Sequence, residues 1–305
     1  MLISRVIHLI HFIHKEKKEA KKEKDCCCLS FSPPSTPLNL TLTKNRAGNG
    51  LALTAAFVYH DLMEIKSKTA LITGGARRVG QAIALALAEK GANILLHYNS
   101  SKTEAEATAA KIRSLGVDCD LFQADFVQSA EITRMTKEIY HQHASVDILI
   151  NNASLFYKTP FKEVSESDWD RLVDTNLKGP FLLSKEIGNR MFYGRGGRII
   201  HIADWSPVRP YRDYAPYCTS KGGLITLTKC LARDLAPKVL SNAIAPGPIL
   251  WPSDFSEEEK QKIIQKIVLG RIGSPQDIAS AVCFLLDNDF INGTVLGVDG
   301  GRSIV

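Results

Sequence analysis

Short apolar runs alternate with amphipathic stretches along most of the 305-residue chain. Residues 69–73, 93–97, 120–123, 146–150, 198–202, 240–245 and 294–298 are brief and rich in Ile, Leu and Val, the pattern of strands buried on both faces. Between the early runs, residues 79–89 and 103–115 carry apolar positions at helical spacing, the first ending near Gly91. Strand and helix in alternation predict an α/β fold, a single domain with a Rossmann-type doubly wound parallel sheet. Ligands of such a sheet bind at the carboxyl ends of its strands, so the residues that follow each apolar run carry the candidate chemistry. The pattern shows no internal repeat and no second domain.

Residues 1–64 break the pattern. An apolar stretch at 2–13 is too short to span a bilayer comfortably, and a Lys/Glu run, the triplet Cys26-Cys27-Cys28 and a Ser/Pro/Thr-rich stretch follow it. A disordered tail or an over-long start to the reading frame is the expectation. A transit peptide, a signal peptide and acylation of the cysteine triplet are the alternatives. The domain then spans 65–305, with Met63 just before its first strand. Cytoplasmic residence without membrane association is expected of it, organelle targeting by the tail being the alternative.

The net charge of +6 is divided evenly: residues 1–64 hold nine Lys/Arg against six Asp/Glu, and the longer remainder carries the other +3. No basic stripe with interleaved aromatics marks a nucleic-acid surface. Cys119, Cys218, Cys230 and Cys283 are scattered without metal-ligand spacing, so free thiols in a reducing compartment and no metal site are expected.

The chemistry-bearing residues follow the apolar runs in order. Thr73-Gly74-Gly75-Ala76-Arg77-Arg78-Val79-Gly80 sits between a strand and a helix, where glycine admits phosphate to the backbone and the helix N-terminus attracts negative charge. The second run ends in His97-Tyr98-Asn99-Ser100-Ser101, without the carboxylate that bonds a ribose 2′-hydroxyl in NAD enzymes. Hydroxyl and amide groups there, aided by Arg77, suit a 2′-phosphate and favour NADPH over NADH. Downstream, Tyr217 and Lys221 stand four residues apart on one face of a helix, and Asp204 precedes the tyrosine by thirteen residues. The ammonium of Lys221 is expected to lower the pKa of the Tyr217 phenol.

This ordered set, with Asn151-Asn152-Ala153 and Asn176 between its ends, resembles the short-chain dehydrogenase/reductase family from about residue 66 to the end of the chain. The resemblance implies that Gly74, Gly80, Arg77, Arg78, Asn99, Ser100, Ser101, Asn152, Ala153, Pro246 and Gly247 hold the cofactor and that Asp125 meets the adenine. It also implies that Asn176 anchors a water chain to Lys221, and that the protein is a homotetramer. Two departures from the family pattern are informative. Arg78 replaces the middle glycine of the loop, where its guanidinium can pair with pyrophosphate or reach an electron-rich ring. Asp204 replaces the serine that bonds a substrate carbonyl.

Both departures are similar to the pteridine reductase and dihydromonapterin reductase branch. That branch implies a pterin stacked on Phe156, with Ser154 at its polar edge and Trp251 on the substrate loop. The expected function is NADPH-dependent reduction of a dihydropterin or dihydrofolate. A carbonyl reductase such as a 3-oxoacyl-thioester reductase is the alternative, and a non-catalytic NADP sensor the second. Arg302, near the C-terminus, is a candidate to line an adjoining active site.

Overall fold

The computed structural model describes the backbone at 38–44 and 51–57, and residues 63–251 and 255–305 with their side chains. The cysteine triplet and the apolar stretch at 2–13 lie outside the described residues. Within the segment expected to be a tail, β1 (Leu38–Lys44) and β2 (Leu51–Phe57) pair antiparallel as a two-stranded sheet. The rest of the description concerns a second compact unit, Asp61–Val305.

That unit is built on a seven-stranded, wholly parallel sheet. Its strands are β3 (Thr69–Ile72), β4 (Asn93–Tyr98), β5 (Cys119–Gln123), β6 (Ile148–Asn151), β7 (Gly197–Ile202), β8 (Val239–Pro246) and β9 (Val295–Val298), in the order β5-β4-β3-β6-β7-β8-β9. The order reverses between β3 and β6, where crossovers leave to opposite sides and a ligand crevice opens. Successive strand residues point to opposite faces. Ile72, Leu96, Ile150 and Ile200 pack in one layer with α1 (Arg78–Glu89), α2 (Lys102–Ser114) and α8 (Pro275–Leu286). Leu71, Leu95, Leu149 and Ile199 pack in the other with α3 (Ser129–Gln142) and α5 (Gly179–Tyr193). This double burial is why the strands are continuous apolar runs rather than alternating ones.

Three further elements position the site. The short helix α4 (Glu166–Val173) starts at a capping box, the Ser165 hydroxyl receiving the Asp168 amide while the Asp168 carboxylate receives the Ser165 amide. It runs into a single π-turn, Asp174–Lys178, before α5. The long helix α6 (Ala215–Asp234) carries Tyr217 and Lys221. The acidic stretch Glu257-Glu258-Glu259 opens α7 (Glu257–Ile264), again behind a capping box, at Ser256 and Glu259. Among the described residues no helix is long and apolar enough to cross a membrane.

Candidate active site

The loop after β3 is held by a dense set of short contacts. Gly74 takes φ +61°, a left-handed conformation that favours glycine. At Gly80 an added Cβ would lie 2.1 Å from the Gly74 carbonyl oxygen, so no side chain fits where α1 crosses the loop. The Thr73 hydroxyl donates to the Ile150 carbonyl and accepts from the amides of Asn152 and Ala153, at 2.9 and 3.0 Å. The Asn152 side-chain amide donates to the Thr73 and Gly74 carbonyls, which ties the end of β6 to the loop. The first turn of α1 holds no acidic residue, and no side chain caps its N-terminus, so its amides are left to an incoming anion. Arg77 and Arg78 are exposed beside it. Arg78 has φ +56°, a conformation that costs a non-glycine residue about 1–2 kcal/mol. These features fit a dinucleotide.

Asn99 and Ser100 stand exposed at the end of β4, and Ser101 begins α2. His97, noted in the sequence only for lacking a carboxylate, turns out to be a structural clip. Its Nδ1 accepts from the Gly74 amide (3.1 Å) and its Nε2 donates to the Ala124 carbonyl (3.0 Å). Those two bonds fix the neutral tautomer. Burial holds its pKa down at about 4. Its ring also stacks on Phe126 at 4.4 Å. Asp125 follows β5, where its carboxylate accepts from the Val127 amide at 3.0 Å.

At the ends of β7 and the start of α6 the three central candidates meet. The Tyr217 hydroxyl donates to Asp204 Oδ2 at 2.8 Å, and the Ser206 amide donates to Oδ1 at 2.6 Å. Lys221 Nζ, 2% exposed, donates to the Ile202 carbonyl at 2.9 Å and lies 5.8 Å from the centre of the Tyr217 ring. Asn176 sits on the π-turn, whose extra residue aims its side chain inward. There its Oδ1 accepts from the Leu155 amide, and its Nδ2 donates to the Leu155 carbonyl and to Ser220 Oγ. Ser220 Oγ in turn donates to the Tyr217 carbonyl, so Asn176 braces the turn of α6 between the tyrosine and the lysine.

The electrostatics differ from the sequence-based expectation for the tyrosine. Its pKa is raised well above the phenol value, first by burial and then by the adjacent Asp204 charge. The sequence spacing revealed the lysine but not the desolvation, and a carboxylate accepting the phenolic proton favours the neutral phenol. Burial likewise raises Asp204, against the opposing hydrogen bonds from Ser206 and Tyr217 and the Lys221 charge. Burial lowers Lys221 to about 8, with Asp204 opposing. Desolvation therefore drives all three groups toward neutrality.

Phe156, 45% exposed, stacks on Tyr214 at 4.6 Å and meets the Tyr217 ring edge-on at 4.8 Å, so it forms one wall of the cleft above the phenol. Ser154 is exposed on the same segment. Pro246 ends β8, and Gly247, next along, donates its amide to Val298 at 2.9 Å, placing that turn at the same carboxyl edge of the sheet. The Trp251 ring lies 6.5 Å from that of Phe255. Residues 252–254 of the expected substrate loop lie outside the described residues. Arg302 packs within its own chain, its guanidinium 4.6 Å over the ring of Trp205, the residue after Asp204. Among the described residues no cluster of His, Cys, Asp and Glu has the makings of a metal site.

The sequence pattern of a family described as enoyl-(acyl carrier protein) reductase matches residues 74–303. The 3-oxoacyl-[acyl-carrier-protein] reductase of Staphylococcus epidermidis is 37% identical over 240 residues, covering 77% of this chain and 98% of the relative. The protein of the same description from Aquifex aeolicus is 37% identical, covering 78% and 99%. A solved structure of a Serratia marcescens short-chain dehydrogenase/reductase double mutant superposes with a TM-score of 0.74 at 32% identity, covering 79% of this chain and 99% of that one.

Proposed function

Since the chain belongs to the short-chain dehydrogenase/reductase family and is an NAD(P)-dependent oxidoreductase, we propose that it uses NADPH to reduce a C=N bond of a dihydropterin or dihydrofolate. The observation that carries this reading is the 2.8 Å bond from the Tyr217 hydroxyl to Asp204. A carboxylate beside a carbonyl oxygen that gains negative charge opposes the reaction, whereas beside a ring nitrogen that must take up a proton it assists. Ser206 is no ready substitute for the family serine, because it stands two residues beyond that position in the chain.

NADPH, when bound, supplies the hydride. The loop 73–80 and the Asn152 amide shape its phosphate site, Arg77 and Arg78 supply cations beside it, and the buried Lys221 ammonium supplies a donor at the cleft floor. Phe156 offers a face on which a flat heterocycle stacks, worth about 0.5–1.5 kcal/mol beyond area burial. Tyr217 Oη passes its proton to the ring nitrogen. Asp204 Oδ2, whose proton affinity burial raises, takes up a proton from solvent and passes it to the phenolate. Positioned acid catalysis of this kind contributes about 10²–10⁴-fold.

A second reading has a specific observation behind it: the relatives at 37% identity are described as 3-oxoacyl-[acyl-carrier-protein] reductases, which favours a 3-oxoacyl-thioester substrate. The test is NADPH oxidation by the whole protein with dihydrobiopterin, dihydromonapterin, dihydrofolate and an acetoacetyl thioester. Preferential turnover of the heterocycles is expected. Turnover of the thioester alone would replace the first reading with the second.

A further inference from the structure

The aromatic wall continues beyond Phe156. The Tyr211 ring touches Phe156 edge-on at 6.2 Å and Trp205 at 5.2 Å, and beside Tyr211 and Trp205 opens a cavity of about 590 Å³. Four cationic side chains line it: Arg209, Arg212, Lys266 and Arg302. Among the described residues no Asp or Glu side chain does, and the one anionic group on the wall is the α-carboxylate of Val305, outnumbered by the four cations. Among the described residues Arg212 pairs with Asp213 alone, at 3.9 Å, and no ion pair engages Arg209, Lys266 or Arg302. Arg302 is held by the face of Trp205 instead, which leaves its N–H groups unspent.

Positive charges gathered on one concave wall repel one another, and an incoming anion relieves that repulsion. The volume suits part of a small molecule rather than a lone ion, and guanidinium forks match carboxylate and phosphate geometry. Trp205 and Tyr211 join this wall to Asp204 and Phe156, so a ligand occupying both spaces would have its reactive end at Tyr217 and its charged end among the arginines.

We propose that this cavity is the subsite for an anionic tail carried by the substrate, a carboxylate or phosphate group distal to the bond that is reduced. It rests on the proposed function only in placing the reacting end at Tyr217. Two sources of such a tail are distinguishable: the glutamate carboxylates of a folate and the phosphate of a pantetheine thioester.

Calorimetric titration of the whole protein with p-aminobenzoylglutamate, and separately with pantetheine 4′-phosphate, tests the subsite without turnover. Saturable binding of one fragment is expected, weakened about ten-fold in Arg209→Gln/Lys266→Gln and again in Arg302→Gln, as a few partly exposed charge contacts allow. Circular dichroism shows whether each variant is folded. No saturable binding of either fragment, or equal binding by folded variants, overturns the proposal. Kinetics supply a second measurement: kcat/KM for dihydrofolate relative to dihydrobiopterin, and for acetoacetyl-coenzyme A relative to acetoacetyl-N-acetylcysteamine. In the variants one of these ratios falls about ten-fold, and equal loss with tailed and tail-less substrates counts against the subsite. Arginine-dependent fragment binding by a chain that reduces none of these substrates upholds the subsite and sinks the proposed reaction.

Discussion

Replacing Asp204 by asparagine removes the charge and keeps the shape. The carboxylate accepts from the Ser206 amide at 2.6 Å and from the Tyr217 hydroxyl at 2.8 Å. An asparagine oxygen can serve only one oxygen position. With Oδ1 kept by the Ser206 amide, Nδ2 faces the phenol and donates to it, so the direction of the tyrosine bond reverses. What is lost is a hydrogen bond to a charged acceptor, about 1.5–3 kcal/mol. If that bond serves proton return during pterin reduction, kcat/KM falls by about 10- to 150-fold.

The pH profile reads the same change independently. In the native protein the Lys221 charge is lost as pH rises through about 8, so activity declines on that limb. Asp204 is the group that holds the lysine pKa up against burial, so in Asp204→Asn the alkaline limb moves to lower pH. The assay is the decay of NADPH absorbance with dihydrobiopterin across pH 6–10. A fall smaller than about two-fold at neutral pH, together with an unmoved alkaline limb, would refute the role given to this carboxylate.

Gly80→Ala drives a methyl into the Gly74 carbonyl, 2.1 Å from the ideal Cβ, and costs about 1–3 kcal/mol as the loop shifts; loss of NADPH binding, measured by fluorescence titration, is the expected result. Arg78→Gly releases the strain at φ +56° and raises stability by up to about 1 kcal/mol, while KM for NADPH rises; a variant that is less stable with unchanged KM contradicts both statements. His97 and His201 are buried and held neutral, with pKa values lowered by burial to about 4 and about 3. Because the unfolded chain takes up these protons below pH 6.5 and the folded chain does not, stability is complete above pH 6.5 and declines as pH falls toward 4. The His97 part is about 3 kcal/mol, and denaturant titrations of His97→Gln should show a shallower decline over that window.

The sheet was legible because β3, β6, β7 and β8 are buried on both sides, and double burial writes itself as unbroken apolar runs. The helix α3 went unpredicted although Ile132, Met135, Thr136 and Ile139 are spaced as a helix face, since its surrounding polar residues dilute the signal. The order of the motifs picked out residues that the fold gathers at one edge of the sheet, yet two properties had no local signature. The upward shift of the Tyr217 pKa depends first on burial, in a cluster that brings Leu155, Tyr157 and Leu172 from another part of the chain. The cationic cavity assembles Trp205, residues 209–212, residues 265–268, Arg302 and Val305 from segments far apart in the chain. His97 carried a signal that went unused: a histidine inside an apolar strand needs a partner for each ring nitrogen, and here the glycine loop supplies one of them.

The Thr73 hydroxyl makes three bonds, one outward and two inward, all to the end of β6 and the residues just beyond it. Any tightening of the glycine loop therefore reaches the Asn152–Phe156 segment through the Thr73 hydroxyl together with the Asn152 side-chain amide. The loop that shapes the phosphate site and the segment that carries the aromatic wall are thus one hydrogen-bonded unit.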